Sequence, residues 1–140
     1  MIQFSPLQTT NPDTLAEIAR ALSLNHNLEC VDGVENRCFL TLDGNQTIGY
    51  CLFHILGNGV AQLTQIYIKP TERKFKLGDG LFRAVLNSLE INGVSQVYAS
   101  GNSEELSFYK HEGLIESESG LVSLESIATF FSKPCKGHKK

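Results

Sequence analysis

The spacing of apolar residues along the chain predicts three helices. Two segments have apolar side chains every three or four positions, as on one face of a helix. Asn11 is a suitable cap for the first of these, and Pro12 fits its first helical position. The second runs from Gly78 to a stop signal at Asn92, and a third, shorter helix is expected over about 103–111.

Strands are predicted where short apolar segments are bounded by turn residues. The main predicted strands are 2–7, 38–42, 47–53, 60–68 and 94–99. The turn sequence Asp-Gly-Asn-Gln joins the second and third of them as a hairpin. Near the end of the chain, residues 114–116 and 121–123 resemble short strands, and 127–131 fits either a last strand or a helical turn.

This succession predicts the order β-α-β-β-β-α-β-α-β in a single α/β domain over residues 1–140. Antiparallel strands come first, and a strand–helix–strand crossover follows. The expected architecture is a central mixed, twisted sheet with helices on both faces. A chain of 140 residues buries enough surface to fold without disulfides or a metal ion.

The composition and net charge of the chain argue against several classes of function. The net charge of −3 argues against nucleic-acid binding by bulk charge. No apolar run approaches the ~18 residues of a membrane-spanning helix, so we expect no membrane partner. The first residues lack the basic stretch and apolar core of a signal peptide, which makes the cytoplasm the expected location. No Cys-x-x-Cys pair occurs, so we also expect no metal site.

The predicted hairpin places two cysteines together. If the turn closes around Gly44 and Asn45, Cys38 lies opposite Cys51. A cross-strand disulfide is one interpretation. Two small apolar thiols in a reducing compartment are the other, and we favour it for these cysteines as for Cys30 and Cys135.

The segment that is most informative about function joins the 60–68 strand to the second helix. The loop is basic and contains glycine, and it opens a helix whose first N–H groups are unpaired. Such a helix start binds anions, and phosphate in particular. Gly78 and Gly80 would allow a close approach of the backbone. A solvated loop before a glycine-rich helix start is the alternative.

The strand before this loop has a recognisable pattern. Leu63, Ile66, Ile68 and Pro70 follow the succession apolar-x-x-apolar-x-apolar-x-Pro. This pattern resembles the acetyl-CoA-binding core of N-acetyltransferases of the GNAT superfamily.

The loop matches the superfamily signature Arg/Gln-x-x-Gly-x-Gly/Ala in part. Arg73 and Gly78 match its first and last positions, whereas Lys76 stands where the first glycine is expected. Lys76 either crowds a pyrophosphate or turns outward and neutralises it.

A second motif follows about 30 residues later. An asparagine, Asn102, precedes a short helix with an aromatic–Tyr pair, Phe108 and Tyr109, and an ending at Gly113. Glu105 replaces the usual small residue. The resemblance covers residues 36–116 well, and it implies a GNAT-type fold.

The resemblance also implies site residues for acetyl-CoA as co-substrate. The loop would hold the pyrophosphate, and the strand backbone would pair with the pantetheine arm. Asn102 would contact the pantetheine or only cap its helix. Tyr109 would protonate the leaving thiolate, or serve as a packed aromatic. The remaining expected cofactor-binding residues are Ile66, Tyr67, Ile68, Arg73, Lys74, Phe75, Lys76, Leu77, Gly78 and Asp79.

No general base is evident. A water held by Gln65, the carboxylate of Glu35 and the imidazole of His54 are candidates. The expected function is acetyl transfer to a primary amine of a small molecule or a protein, with a homodimer as a possible assembly. A non-catalytic acyl-CoA-binding module and a protein-interaction domain are the alternatives. The basic tail from Lys133 onward is either a frayed end or a contact for an acidic partner.

Overall fold

A computed structural model describes residues 1–132, apart from the side chains of Lys74 and Phe75. Seven strands form one sheet in the order β1-β2-β3-β4-β5-β7-β6. The strands are β1 Ile2–Pro6, β2 Glu35–Asp43, β3 Gln46–Gly57, β4 Val60–Ile68, β5 Gln96–Ala99, β6 Ile115–Glu116 and β7 Val122–Leu124. The helices are α1 Pro12–Ala21, α2 Leu77–Ile91, α3 Ser103–Glu112 and α4 Ile127–Ser132, with a 3-10 helix over Pro70–Phe75.

The sheet is mixed, as predicted. Only β4 and β5 pair in parallel within this sheet of described strands, and helix α2 makes the crossover between them. All other pairs are antiparallel. No helix in residues 1–132 is long and apolar enough to cross a membrane.

Two apolar clusters cover the two faces of the sheet. Helix α1 packs on one face, where its residues Leu15 and Ile18 belong to the same buried cluster as Leu52 of β3. Helix α2 packs on the other face, in the larger cluster. There the ring of Phe82 contacts aromatic rings of both α3 and α4, at centroid distances of 5.7 to 6.0 Å. Helices on both faces were predicted, and the structure confirms them.

The prediction that Cys38 lies opposite Cys51 is wrong. A bulge in the β2–β3 pair adds one residue after the turn, so Cys38 lies opposite Leu52 and Cys51 opposite Phe39. A one-residue shift moves a side chain to the other face of a sheet. Cys38 therefore belongs to the cluster beneath α1, and Cys51 to the cluster beneath α2. None of the three cysteines in the described part forms a disulfide.

Other differences from the sequence predictions are local. The segment 127–131, open between a strand and a helical turn, lies in helix α4. The loop predicted over 69–77 contains the 3-10 helix, so that α2 begins at Leu77 rather than at Gly78. Cys135 and the basic tail lie outside the described residues.

We expect only exposed Cys30 among these three thiols to react with iodoacetamide in the native protein. The thiolate is the nucleophile, and burial raises the pKa of Cys38 to about 12 and that of Cys51 well above its usual value. Peptide mapping after labelling at about pH 8, with and without denaturant, measures this. Two cysteine peptides that separate only after reduction would contradict it.

Candidate active site

The site begins where β4 and β5 separate. Parallel pairing extends from Val60 to Leu63, and the last link is a 3.3 Å hydrogen bond from Ser100 N–H to Leu63 C=O. The next residue, Thr64, is extra in the β3–β4 register, and its hydroxyl donates to Leu52 C=O at 3.0 Å. Such a bulge bends and twists a strand. Strand β4 continues to Ile68 with its outer edge unpaired by any described strand.

Two backbone groups on this open edge point away from β3. Ile66 N–H donates to the carboxylate of Glu105 at 3.1 Å. Ile68 C=O accepts from Arg73 Nε at 2.7 Å, and the same guanidinium lies 2.7 Å from a carboxylate oxygen of Glu104. Side chains thus occupy the groups to which the resemblance assigned the pantetheine arm.

The loop after β4 places the start of α2 beside this edge. Lys76 has a left-handed backbone, with φ 59° and ψ 30°, and occupies the N-cap position of α2. Glycine adopts this conformation at the least cost, which accounts for the glycine expected there. The exposed lysine makes no capping hydrogen bond through its side chain within the described residues. The first N–H groups of α2 are therefore available to an anion.

A cavity of about 1,040 Å³ connects the open edge with this helix start. Among the predicted cofactor-binding residues, those that line it are Ile66, Tyr67, Ile68, Arg73, Lys76, Gly78, Asp79 and Asn102. The side chain of Leu77 is instead buried in the core. Asp79 forms an ion pair with Arg83 at 3.2 Å, one turn further along α2.

The two glycines at the start of α2 have different surroundings. A Cβ on Gly78 would lie 3.1 Å from the ring of Phe108, which also lines the cavity. A Cβ on Gly80 would lie 2.4 Å from the ring of Phe4. Gly80 therefore lets β1 pack against α2, and it is not among the residues that line the cavity.

Asn102 caps helix α3. Its side chain accepts from Glu105 N–H at 2.9 Å, and Glu105 in return accepts from Asn102 N–H at 3.0 Å. This capping box confirms the capping interpretation. Sequence reasoning gave Glu105 no role, although its departure from the usual small residue was a signal.

Tyr109 is fully buried and is not among the residues that line the cavity, and its hydroxyl has no hydrogen-bond partner in the described part of the chain. Burial raises the pKa of Tyr109 well above its usual value, and the nearby thiol of Cys51 and carboxylate of Glu105 raise it further. The hydroxyl therefore stays protonated at neutral pH. A buried, unpaired hydroxyl is unfavourable unless a ligand or water completes it.

The candidate bases separate clearly by position. Gln65 lines the cavity, where its side-chain oxygen accepts from the hydroxyl of Tyr50 at 2.6 Å. His54 on β3 and Glu35 on β2 lie outside the cavity lining. His26 and His111 are exposed and also line the cavity. In residues 1–132, no group of three His, Cys, Asp or Glu residues is arranged to hold a metal ion.

Comparisons with known proteins agree with the fold. The family model described as the acetyltransferase (GNAT) family matches residues 7–113. The structure resembles the ribosomal-protein-S18-alanine N-acetyltransferase from Escherichia coli, at 15% identity and a TM-score of 0.67 over 100% of both chains. It also resembles a GNAT family acetyltransferase from Elizabethkingia anophelis with acetyl-CoA bound, at 16% identity and a TM-score of 0.62, over 89% of this chain and 97% of that one. No curated protein matches the sequence.

We expect Lys76→Gly to raise the stability of the fold and to weaken CoA binding. Glycine relieves a left-handed backbone that costs a lysine about 1 kcal/mol, and the substitution removes a positive charge that would contribute about fivefold to phosphate affinity. Thermal melting and calorimetric titration with CoA measure the two effects. Ser23→Gly, at φ 56° outside the cavity lining, is the control that changes stability alone. Unchanged CoA affinity in Lys76→Gly would contradict the phosphate role.

We expect His54 to affect the pH dependence of stability. Burial lowers its pKa from 6.5 in the folded protein, and its Nδ1 has no partner among the described residues. The unfolded chain therefore binds the proton first, and stability is lost as the pH falls below 6.5 towards the lower folded pKa. Denaturation midpoints between about pH 7.5 and 5.5 should fall less in His54→Gln than in the parent. Parallel curves would exclude this effect.

Proposed function

The chain belongs to the acetyltransferase (GNAT) family, and on that premise we propose that it is an N-acetyltransferase. It transfers the acetyl group of acetyl-CoA to a primary amine of a small molecule or a protein. The observation that carries the proposal is the open edge of β4 beside the uncapped start of α2. An extended ligand with a phosphate at one end fits both features together.

Acetyl-CoA would bind through three kinds of contact. The pyrophosphate would lie at the start of α2, where the exposed charge of Lys76 favours it. The pantetheine arm would pair with the backbone of Ile66 and Ile68, as an added strand does. The thioester carbonyl would accept from Ile66 N–H, which stabilises the oxyanion of the transition state. Two structurally similar proteins support this choice: the GNAT family acetyltransferase from Elizabethkingia anophelis has acetyl-CoA bound, and the PaiA N-acetyltransferase from Thermoplasma acidophilum is in complex with coenzyme A.

Transfer would proceed without a covalent enzyme intermediate. The amine nitrogen attacks the thioester carbon, the carbon–sulfur bond breaks, and the sulfur leaves with a proton. The buried Tyr109 hydroxyl is the proposed donor, because it stays protonated and lacks a partner until a ligand arrives. The amine must lose a proton, and a water held by Gln65 is the candidate acceptor within the cavity.

A non-catalytic acyl-CoA-binding module is the second candidate. None of the three candidate bases is a titratable group that lines the cavity, which favours this module. His54 and Glu35 lie outside the cavity lining, and Gln65 does not titrate. The carboxylate of Glu105 on Ile66 N–H also favours it. The cytoplasmic location, the homodimer and the kind of acceptor stay predictions.

Two measurements test the proposed function. Calorimetric titration with acetyl-CoA and with CoA decides whether the cofactor binds. A thiol-release assay over a panel of small amines and peptides with a free amino terminus then separates an enzyme from a binding module. Binding without thiol release above the rate without protein would favour the second candidate, and failure to bind either compound would exclude both.

We expect Tyr109→Phe to lower kcat by ~10–100-fold, with acetyl-CoA affinity within a few-fold of the parent. The hydroxyl acts only as charge develops on sulfur. Removal of an unpaired buried hydroxyl should leave stability unchanged or raised, within about 1 kcal/mol. Steady-state kinetics and a melting curve measure both.

The matched control is Tyr98→Phe on β5, a tyrosine with no part in the proposed transfer, which should leave kcat at the parent value. An unchanged kcat in Tyr109→Phe would remove Tyr109 from the mechanism and favour the binding module.

A further inference from the structure

The open edge of β4 is closed by three side chains, Arg73, Glu104 and Glu105, which we call the edge clasp. Glu105 accepts from Ile66 N–H at 3.1 Å. Arg73 donates to Ile68 C=O at 2.7 Å and is paired with Glu104, also at 2.7 Å. The clasp therefore satisfies the backbone groups that an added strand would use.

Glu105 is held firmly in this position. One carboxylate oxygen accepts from Asn102 N–H at 3.0 Å while the other binds Ile66 N–H. Both donors are backbone groups, and both bonds are charge-assisted. The neighbouring Gly101 makes room for the side chain, since a Cβ there would lie 2.4 Å from a Glu105 oxygen and 2.8 Å from its Cβ.

The carboxylate and an acyl carbonyl need the same donor. Ile66 has one N–H group, and a thioester carbonyl is a neutral acceptor with a weaker hydrogen bond than a carboxylate. An acyl-CoA can use Ile66 N–H only after Glu105 has left it. Free CoA has no acyl carbonyl, so the bond between Glu105 and Ile66 N–H lowers its affinity less than that of an acyl-CoA.

We propose that Glu105 is a specificity-determining residue that competes with the acyl carbonyl for Ile66 N–H and so suppresses the preference of the site for acyl-CoA over CoA. This inference rests on the proposed function. One hydrogen bond replaces another when an acyl-CoA binds. The bond from Ile66 N–H to Glu105 breaks, and a bond from Ile66 N–H to the thioester oxygen forms.

Two substitutions at one position test the competition. Glu105→Ala removes the acceptor, and Glu105→Gln removes its charge while keeping a residue that completes the capping box. We expect the Kd for acetyl-CoA to fall by about tenfold to a hundredfold in Glu105→Ala and by about threefold to tenfold in Glu105→Gln. The Kd for CoA should fall by a smaller factor in each variant. Glu90→Gln, an exposed residue of α2 outside the cavity lining, changes the net charge equally and should bind as the parent does.

A second readout does not depend on any ligand. The amide proton of Ile66 should resonate further upfield in Glu105→Ala than in the parent, because it loses a charge-assisted hydrogen bond. Two-dimensional ¹⁵N–¹H spectra of the ligand-free proteins measure this shift. Thermal melting of the three variants measures the stability that Glu105→Ala loses with its capping box, which separates that loss from the effect on binding.

The outcomes separate this inference from the proposed function. Equal binding of acetyl-CoA by the parent and both Glu105 variants would overturn the competition and leave the cofactor assignment standing. Weaker binding in Glu105→Gln would also overturn it, because Glu105 would then be part of the ligand site. If no protein of the set binds acetyl-CoA or CoA, both proposals fail. An unchanged Ile66 resonance in Glu105→Ala would overturn the edge clasp itself.

Discussion

The open edge at the candidate site exists because the two parallel strands β4 and β5 separate after Leu63. Beyond the bond from Ser100 to Leu63, β4 has a partner on one side only. The extra residue Thr64 bends the strand at this point. Backbone N–H and C=O groups in a protein interior must be paired. The open edge therefore has to bind a ligand, water or the protein's own side chains, and in this structure Arg73 and Glu105 fill that role.

The elements of the fold could be predicted because each one has a local signal. Helix α2 has its apolar stripe and the hairpin of β2 and β3 has its turn residues, so both were found within a few residues. The register could not be predicted in the same way. The bulges that displace Cys38 from Cys51 and that isolate Thr64 add single residues without a change in composition. Each reverses the face on which later side chains lie, so one uncounted residue was enough to assign two cysteines to the same face.

In the candidate site, too, features set by neighbours in sequence could be predicted, and a contact between distant residues could not. The loop before α2 and the cap at Asn102 depend on neighbours in sequence, and motif spacing indicated both. The bond from Ile66 to Glu105 joins residues 39 positions apart. Only the replacement of a small residue by a glutamate pointed to it. Lys76 is intermediate, because the motif marked it as a departure from glycine, whereas its left-handed backbone became evident only in the structure.

The position of Glu105 also limits the chemistry that is possible where β4 and β5 separate. Its carboxylate is close enough to raise the pKa of Cys51 and Tyr109, in both cases after the larger effect of burial. A thiolate that formed at the same place would be destabilised by the same negative charge. The negative charge of Glu105, which completes the cap of α3, is thus unfavourable for a thiolate leaving group between β4 and β5. Transfer of an acyl group at this place would therefore require the carboxylate to move away or to be neutralised.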